Sequence, residues 1–594
     1  MVGLSFEATP DPVAASHHAI HQAGATVSSA LSALQVPPLS AIPFIDSPTA
    51  RPGRWAQCLA MVQDIWDAEL FVASSPEGDS GLLVENAAAT NDTRAKLSER
   101  LPVYLVSPPG EAAWIREARN PSCLYPTPNP SANSSRTKRT REDRDATEDQ
   151  SMQEAPSATA PGTPAANGAA SSSEATTDKR PRPSAQGDGK NGSVGLGLNH
   201  PVLGQAGAFA VVAKLYDATA GRELKVNTLV RVVGILQEAM PVASGNDAFA
   251  EEFAARNPEI VKRLHVVQMR GAEEWEINPA TAALVANGGQ QALAEARQEL
   301  KAVLPGVRDM LIKYLSSALC DDTVAAEYLL MCLLSRPAQR TEGGDAIGKL
   351  SLNLVVPKEV SDSQPDFSSQ LSKAIENVVN AVVPVELSIA SLNARELYPK
   401  KDYTLNRLKA APLQLAGGAV LLADETRLSN GHLAERGLRN VRALSSLAKQ
   451  CTAPLDFQYY ETEILVQCCP VFVSKGSKSI IPADVVVRIK PDTGLKLQKW
   501  DSYNEDLLRK MRLAMALLTE QGEFDISEGA SKAVENEYVA ARKSGQAKDG
   551  QATLQSWLAL ARCCSRSFGE AVLTPERWSH ARQLEAKRAE RDRR

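Results

Sequence analysis

No apolar run in this 594-residue sequence approaches the ~18 consecutive residues that a membrane-spanning helix needs. The first residues, MVGLSFEATPDPVAASHHAIHQAG, lack the basic start and compact apolar stretch of a secretion signal. Membrane spanning and secretion are therefore not expected. Aromatic residues are scarce, at 5%, which argues against an extended base-stacking platform. An excess of positive charge is also missing: 65 Lys and Arg stand against 70 Asp and Glu, a formal net charge of −5. Bulk electrostatic attachment to nucleic acid is thereby ruled out, while a local basic face stays open. The nine cysteines, Cys58, Cys123, Cys320, Cys332, Cys451, Cys468, Cys469, Cys563 and Cys564, include no CxxC pair. Without that spacing neither a zinc module nor a disulfide framework is indicated, and buried thiols in a reducing compartment are expected. Seven histidines include His17, His18 and His21, which read as part of a polar helix and not as a metal site.

What is there is a chain 43% apolar and 23% charged, long enough for several domains with separate cores. Between about residues 120 and 200 large apolar side chains almost vanish and Pro, Ser, Ala and Gly take over. Such a segment cannot bury enough surface to offset its ordering entropy and is expected to be disordered. Within it, Arg136, Lys138, Arg139 and Arg141, then Lys179, Arg180 and Arg182, form two basic clusters, candidates for nuclear import or phosphate contact. The segments at 54–75, 101–110, 208–217 and 224–239, rich in Val and Leu and bounded by turn residues, predict strands of a small barrel or sandwich. The polar insert is then a loop between those strands, and TLVRVVGIL, with Gly234 near its end, resembles a strand of an OB-fold barrel.

From about Phe253 the texture changes. Residues 292–315 and 324–334 carry helical spacing, 350–357 reads as a buried strand, 368–382 as a helix, and 385–391 and 419–426 as further strands. That alternation predicts a βαβ core with a parallel sheet. Past Trp500 four short helices follow, with Ser527 and Thr574 placed as N-caps.

Two patterns bear on chemistry. GGDAIGKL, residues 343–350, satisfies all but the last position of a phosphate loop, where Leu350 replaces the hydroxyl. Its glycines precede a strand, whereas a phosphate loop must leave one and open a helix. The segment that does follow the strand, PKEVSDSQPDFSSQ, has no glycine and carries Glu359, Asp362 and Asp366. In AVLLADET, apolar residues lead into Asp424 and Glu425, the form of a Walker B strand, although acidic strand ends also occur as plain structure. No G-x-S-x-G, H-E-x-x-H or GxGxxG after a strand is found, so no other hydrolase or dinucleotide motif is indicated.

Taken in order, VRDMLIKYL, GKLSLNLVVP, PLQLAGGAVLLADET, IIPADVVVRI and the tail from ISEGASKAVENEYVAARK to LTPERWSHARQLE resemble the ATPase half of mini-chromosome maintenance (MCM) helicase subunits. In the tail, Ile526, Ala530, Tyr538 and Arg542 fall in the order of the family's lid. The chemical positions depart from that pattern: the phosphate loop is missing, Ala552 stands where a second-sensor arginine belongs, and VVVRIKPD, residues 485–492, stands in place of the arginine-finger segment. The longer strings MVQDIWDAELFV, PGEAAWIREA, DDTVAAEYLLMCLLS, KKDYTLNRLKAAPLQL and LLADET are similar to the MCM-binding proteins, from about Pro52 to Glu585.

This resemblance implies a non-catalytic nuclear protein that binds MCM subunits, reaches chromatin through them, and promotes removal of the MCM complex from chromatin late in S phase. It also implies support of sister-chromatid cohesion. No cofactor, no membrane and no direct sequence-specific contact to nucleic acid are expected. Asp424 and Glu425 are then vestiges; the alternative is an ATP-binding chaperone that uses both. The expected fold is α+β and multi-domain, with a split OB-like β domain at 46–120 and 201–250. An N-terminal segment at 1–45 precedes it and the disordered linker at 121–200 divides it. A degenerate AAA+-like α/β core at 251–500 and a helical lid at 501–594 with a basic tail complete the chain.

Overall fold

A computed structural model describes residues 31, 34–74, 96–119, 197–217, 221, 223–242, 259–337, 339–340, 346–491, 503–519, 524–545 and 550–592. The insert expected to be disordered, its two basic clusters and the His17, His18 and His21 group lie outside these residues, apart from the few positions from 197 onward.

Six strands open the described chain: β1 (Trp55–Ile65), β2 (Glu69–Ser74), β3 (Lys96–Val106), β4 (Ala210–Leu215), β5 (Leu229–Pro241) and β6 (Ile260–Gly271). They pair in the order β1-β5-β6-β4-β3-β2, and β1 also pairs with β3, which closes five of them into a ring. All pairs are antiparallel except β4 with β6. Closure needs a strand that bends. The register of β5 against β6 shifts between Val233 and Gly234, and a Cβ on Gly234 would overlap the carbonyl of His265, so the bulge falls where glycine permits the close approach. Alternate residues fill the ring: Cys58, Ala60, Val62, Val103, Leu105, Val211 and Ala213 share one cluster. Their neighbours Met61, Tyr104 and Val212 face outward onto Ala416. Strands are thus found at 54–75, 101–110, 208–217 and 224–239, with the segment 54–75 divided into β1 and β2 and β3 starting earlier, at Lys96. β6 is an addition to them.

The rest of the chain is α/β. Helices α1 (Ala113–Arg119), α2 (Glu274–Ile277), α3 (Pro279–Ser317) and α4 (Thr323–Leu333) are followed by the short pair β7 (Gln339–Arg340) and β8 (Ala346–Ile347). Then come β9 (Leu352–Val356), α5 (Lys358–Ser363), α6 (Phe367–Glu376), β10 (Val382–Glu386), α7 (Ile389–Ala394), β11 (Lys400–Asp402), β12 (Arg407–Lys409) and β13 (Val420–Asp424). Next are α8 (Glu435–Gln450), β14 (Thr452–Asp456), β15 (Glu461–Leu465), β16 (Cys469–Lys475) and β17 (Val485–Arg488). The tail comprises α9 (Glu505–Thr519), β18 (Asp525–Ile526), α10 (Glu528–Lys543), α11 (Gly550–Ser567), β19 (Val572–Leu573) and α12 (Pro575–Asp592).

β10, β13, β16, β9 and β17 form one sheet in that order, every pair parallel, as the strand–helix alternation predicts. Leu352, Leu354, Val471 and Val487 pack on one face with α3, α4 and the tail helices. Val385, Leu421 and Phe472 pack on the other with α8. Cys469 falls in the first core and Cys468 in the second, whereas Cys563 and Cys564 both fall in the first, and every cysteine among the described residues is buried. The expected strand at 385–391 is shifted: Ser388 caps α7 by accepting from Ser391 N, which stops β10 at Glu386. Ser527 and Thr574 accept from the backbone three residues on, as N-caps do. Among the described residues no helix is long and apolar enough to cross a membrane.

The ring and the parallel sheet are joined by backbone. Val382 N donates to Gly110 O (2.8 Å) and Ala112 N to Asn380 O (2.9 Å), around a bridge between Glu111 and Ala381. Beside it the buried Gln63 donates to Leu408 O (2.9 Å), and Asp64 accepts from Leu408 N (2.7 Å). Gly110 has φ +72°, and a Cβ there would overlap the Val382 carbonyl. Gly110→Ala is expected to cost more than about 2 kcal/mol and to lower the melting temperature by several degrees; an unchanged melt would contradict this docking.

Candidate functional site

In a parallel α/β sheet, ligands bind in the crevice outside the carboxyl ends of the strands. Lys349, the lysine of the phosphate-loop-like string, is not there. It precedes β9 at the opposite end of the sheet, buried, with Nζ donating to both carboxylate oxygens of Asp484 (2.9 and 2.7 Å) and to Ala448 O. Asp484 also accepts from Ser351 N and Ser351 Oγ, each at 2.7 Å. Two backbone entries, into β9 and into β17, are pinned together by this ion pair of a buried lysine with a solvent-accessible carboxylate, so Lys349 acts in structure.

At the carboxyl end, β9 stops at Val356 and α5 begins at Lys358, with Pro357 as N-cap. The one-residue connection leaves no loop of amides to surround a phosphate, and proline brings no N–H. A different loop occupies the rim. From the end of β16, Gly476 N donates to Val356 O (2.7 Å), and Lys475 pairs with Asp362 of α5. Ser479 N then donates to Asn353 Oδ1 (3.1 Å), while Ser479 Oγ donates to Glu425 Oε1 (2.5 Å) and Ile480 N to Glu425 Oε2 (3.1 Å).

Glu425 is therefore only 5% exposed, with a donor on each carboxylate oxygen. Asp424, one residue earlier on β13, accepts from Thr426 N (2.9 Å) through Oδ1. The structure brings Asp424 and Glu425 to the sheet rim, as the Walker-B-like pattern implies, but Glu425 is engaged by its own chain. Ser479, Asn353 and Asp484 were not legible as partners, because the contacts span 54, 126 and 135 residues.

Of the remaining positions, Arg488 on β17 pairs with Asp592 of α12 at 3.2 Å, and its carbonyl accepts from Arg591. Ala552 lies exposed near the start of α11, while Tyr538 and Arg542 lie on α10. Arg136, Lys138, Arg139, Arg141, Lys179, Arg180 and Arg182 lie outside the described residues. Among the described residues no group of three or more His, Cys, Asp or Glu is placed to hold a metal ion.

Burial holds the Glu425 carboxyl above its ordinary value of 4.5, against the lowering effect of the Ser479 and Ile480 donors. A raised folded pKa means that the fold favours the protonated acid. The resulting stabilisation is complete below the unfolded pKa and is lost as pH rises through the folded one. The melting temperature of the natural chain relative to Glu425→Gln is thus expected to fall as pH rises above the ordinary carboxyl value of 4.5; parallel pH curves would contradict it.

Residues 32–592 match the family model described as mini-chromosome maintenance replisome factor. Among curated relatives, the mini-chromosome maintenance complex-binding protein of Homo sapiens is 29% identical over 613 residues, covering 94% of this chain and 91% of the human protein. That of Gallus gallus is 28% identical over 585 residues, with 91% and 89% covered. The Arabidopsis thaliana protein of the same name is 30% identical over 399 residues, 66% of this chain and 64% of the plant protein, so this match spans just under two thirds of that relative. The chain accordingly belongs to the mini-chromosome maintenance replisome factor family, the MCM-binding proteins whose strings its sequence resembles.

Proposed function

We propose that this chain is a non-catalytic regulator of DNA replication. It binds MCM helicase subunits and promotes disassembly of the MCM complex from chromatin in late S phase, and in doing so supports sister-chromatid cohesion. The MCM partner is supported by the relatives' name, mini-chromosome maintenance complex-binding protein. The observation that carries the non-catalytic part is the passage from β9 to α5 through Pro357 alone, together with the engagement of Glu425 by Ser479 and Ile480.

The architecture supports a helicase-subunit-like body in two halves. The five-strand ring, with β4 and β6 as its one parallel pair, favours an OB-like reading of the β half. The parallel sheet sets β16 between β9 and β13, and tail helices α9–α12 follow it, which favours a degenerate AAA+-like core with a lid. Such a body would present a helicase subunit's shape to a neighbour and compete for a ring interface. The free energy to open the ring comes from differential affinity for the free subunit over the closed ring, because a ligand shifts an equilibrium only by that difference. Chromatin is reached through MCM, and the two basic clusters carry the chain into the nucleus.

Purified full-length chain is expected to co-elute with MCM subunits in nucleotide-free buffer and to hydrolyse ATP no faster than background. Hydrolysis above background that Asp424→Ala abolishes would overturn the non-catalytic reading in favour of an ATP-using chaperone.

A further inference from the structure

We propose that the free edge of β15 is a docking strand for an extended segment of a partner protein with basic and apolar side chains in alternation. β15 is the last strand of the sheet β12-β11-β14-β15 and, among the described residues, pairs with β14 alone. The register runs unbroken from Thr452 opposite Leu465 to Asp456 opposite Glu461. Just beyond its two ends, Val466 N donates to Cys451 O and Phe457 N to Tyr460 O, each at 2.9 Å. Hydrogen-bonded pairs alternate along an antiparallel ladder, so Thr462 and Ile464 turn their N–H and C=O groups toward β14. Glu461, Glu463 and Leu465 turn theirs outward. Of these outward groups, Leu465 O accepts from the Asn227 side chain (3.1 Å).

Space borders the edge from Glu461 to Ile464, up to the Asn227 side chain on Leu465 O. A cavity of about 660 Å³ borders Glu461, Thr462 and Glu463, with Leu438, Arg442 and Ala443 of α8 across it. A second, of about 650 Å³, borders Glu463, Ile464 and Leu465, with Thr228, Ile277 and Gly417 across it. The two share Glu463. Side chains of an added strand alternate between faces and would enter these spaces while its backbone pairs with the outward groups, the mode known as β-augmentation.

The edge is short and carries two glutamates, devices that discourage pairing with a strand of like charge. It contains no proline, lysine or bulge, which natural sheets use to blunt an edge. Its charges are Glu461, paired with Arg439, and Glu463, which is exposed and makes no ion pair among the described residues. A second copy of this chain, added antiparallel about Glu463, would oppose carboxylate to carboxylate, which is destabilising. A lysine or arginine opposite Glu463 is favoured for the same reason. The turn leading into β15 adds to the preference: Tyr459 is 85% and Tyr460 57% exposed, and exposed tyrosine rings attract cations.

The test uses the full chain and a fluorescein-labelled Lys-Val-Lys-Val-Lys-Val-Lys peptide, read by anisotropy in the absence of MCM, so that its outcome is separate from that of MCM binding. Saturable binding is expected. Glu463→Pro, which removes an outward N–H and leaves the β14-facing groups of Thr462 and Ile464, is expected to weaken it by at least ~10-fold. Glu463→Lys is expected to weaken it similarly, and it keeps the test open should the proline variant fold poorly. A peptide of equal charge with proline in place of valine cannot pair as a strand and is expected not to saturate. Equal binding of the valine and proline peptides, or wild-type affinity in Glu463→Lys, would overturn the proposal.

Discussion

Much of this molecule depends on how β9 ends. β9 lies between β16 and β17, every residue of it is buried, and it leaves the sheet through Pro357 straight into α5. Proline suits that position because its fixed φ is already near helical and its missing N–H is not needed in a first turn. The consequence is that the rim above β9 is filled by the chain itself. Asn353, 1% exposed within β9, accepts from Ser479 N, and Ser479 in turn donates to Glu425. A polar line thus runs from β9 to the acid after β13, and its acceptors are used internally. Buried polar groups linked in this way hold one arrangement, since breaking any link leaves a desolvated partner unmatched.

The two halves of the described chain share the same logic. Polar groups that would be costly alone are used to register one element against another. Gln63 and Asp64 at the end of β1 meet the backbone of Leu408, and Lys349 ties Asp484 to the entry of β9. Burial alone raises the Asp64 carboxyl, with its backbone donors opposing that rise. The Gln63 and Asp64 contacts span 345 and 344 residues and register the ring of β1, β5, β6, β4 and β3 against β12, in addition to the apolar contact of Met61, Tyr104 and Val212 with Ala416.

Legibility from sequence followed apolar pattern and failed where polar residues are buried. β1, β4, β5, β9, β13 and the part of β3 from Leu101 are rich in apolar residues, and each stood out; β16, although apolar, did not. β6 did not, because Lys262, Arg263, His265, Gln268 and Arg270 interrupt it. Arg263 is nevertheless 2% exposed, its guanidinium satisfied by the carbonyls of Met240, Pro241 and Val261. The pair β14 and β15 was hidden for the opposite reason: β15 is short and largely exposed, so it carries little hydrophobic signal. At the site, Asp424 and Glu425 were legible as acids at a strand end, and the string GGDAIGKL was legible as misplaced for a phosphate loop. The engagement of Glu425 was not, since nothing local to Ser479 marks it as the partner of a carboxylate on another strand.

A subunit-shaped body that opens a ring by binding alone differs from one that consumes ATP in a single observable. Mass photometry of assembled MCM complexes, with this chain added in the presence of a non-hydrolysable ATP analogue, reads ring mass directly. The account predicts loss of the ring species and growth of a species containing this chain and MCM subunits. Rings that persist under these conditions and are lost only when hydrolysable ATP is supplied would contradict it.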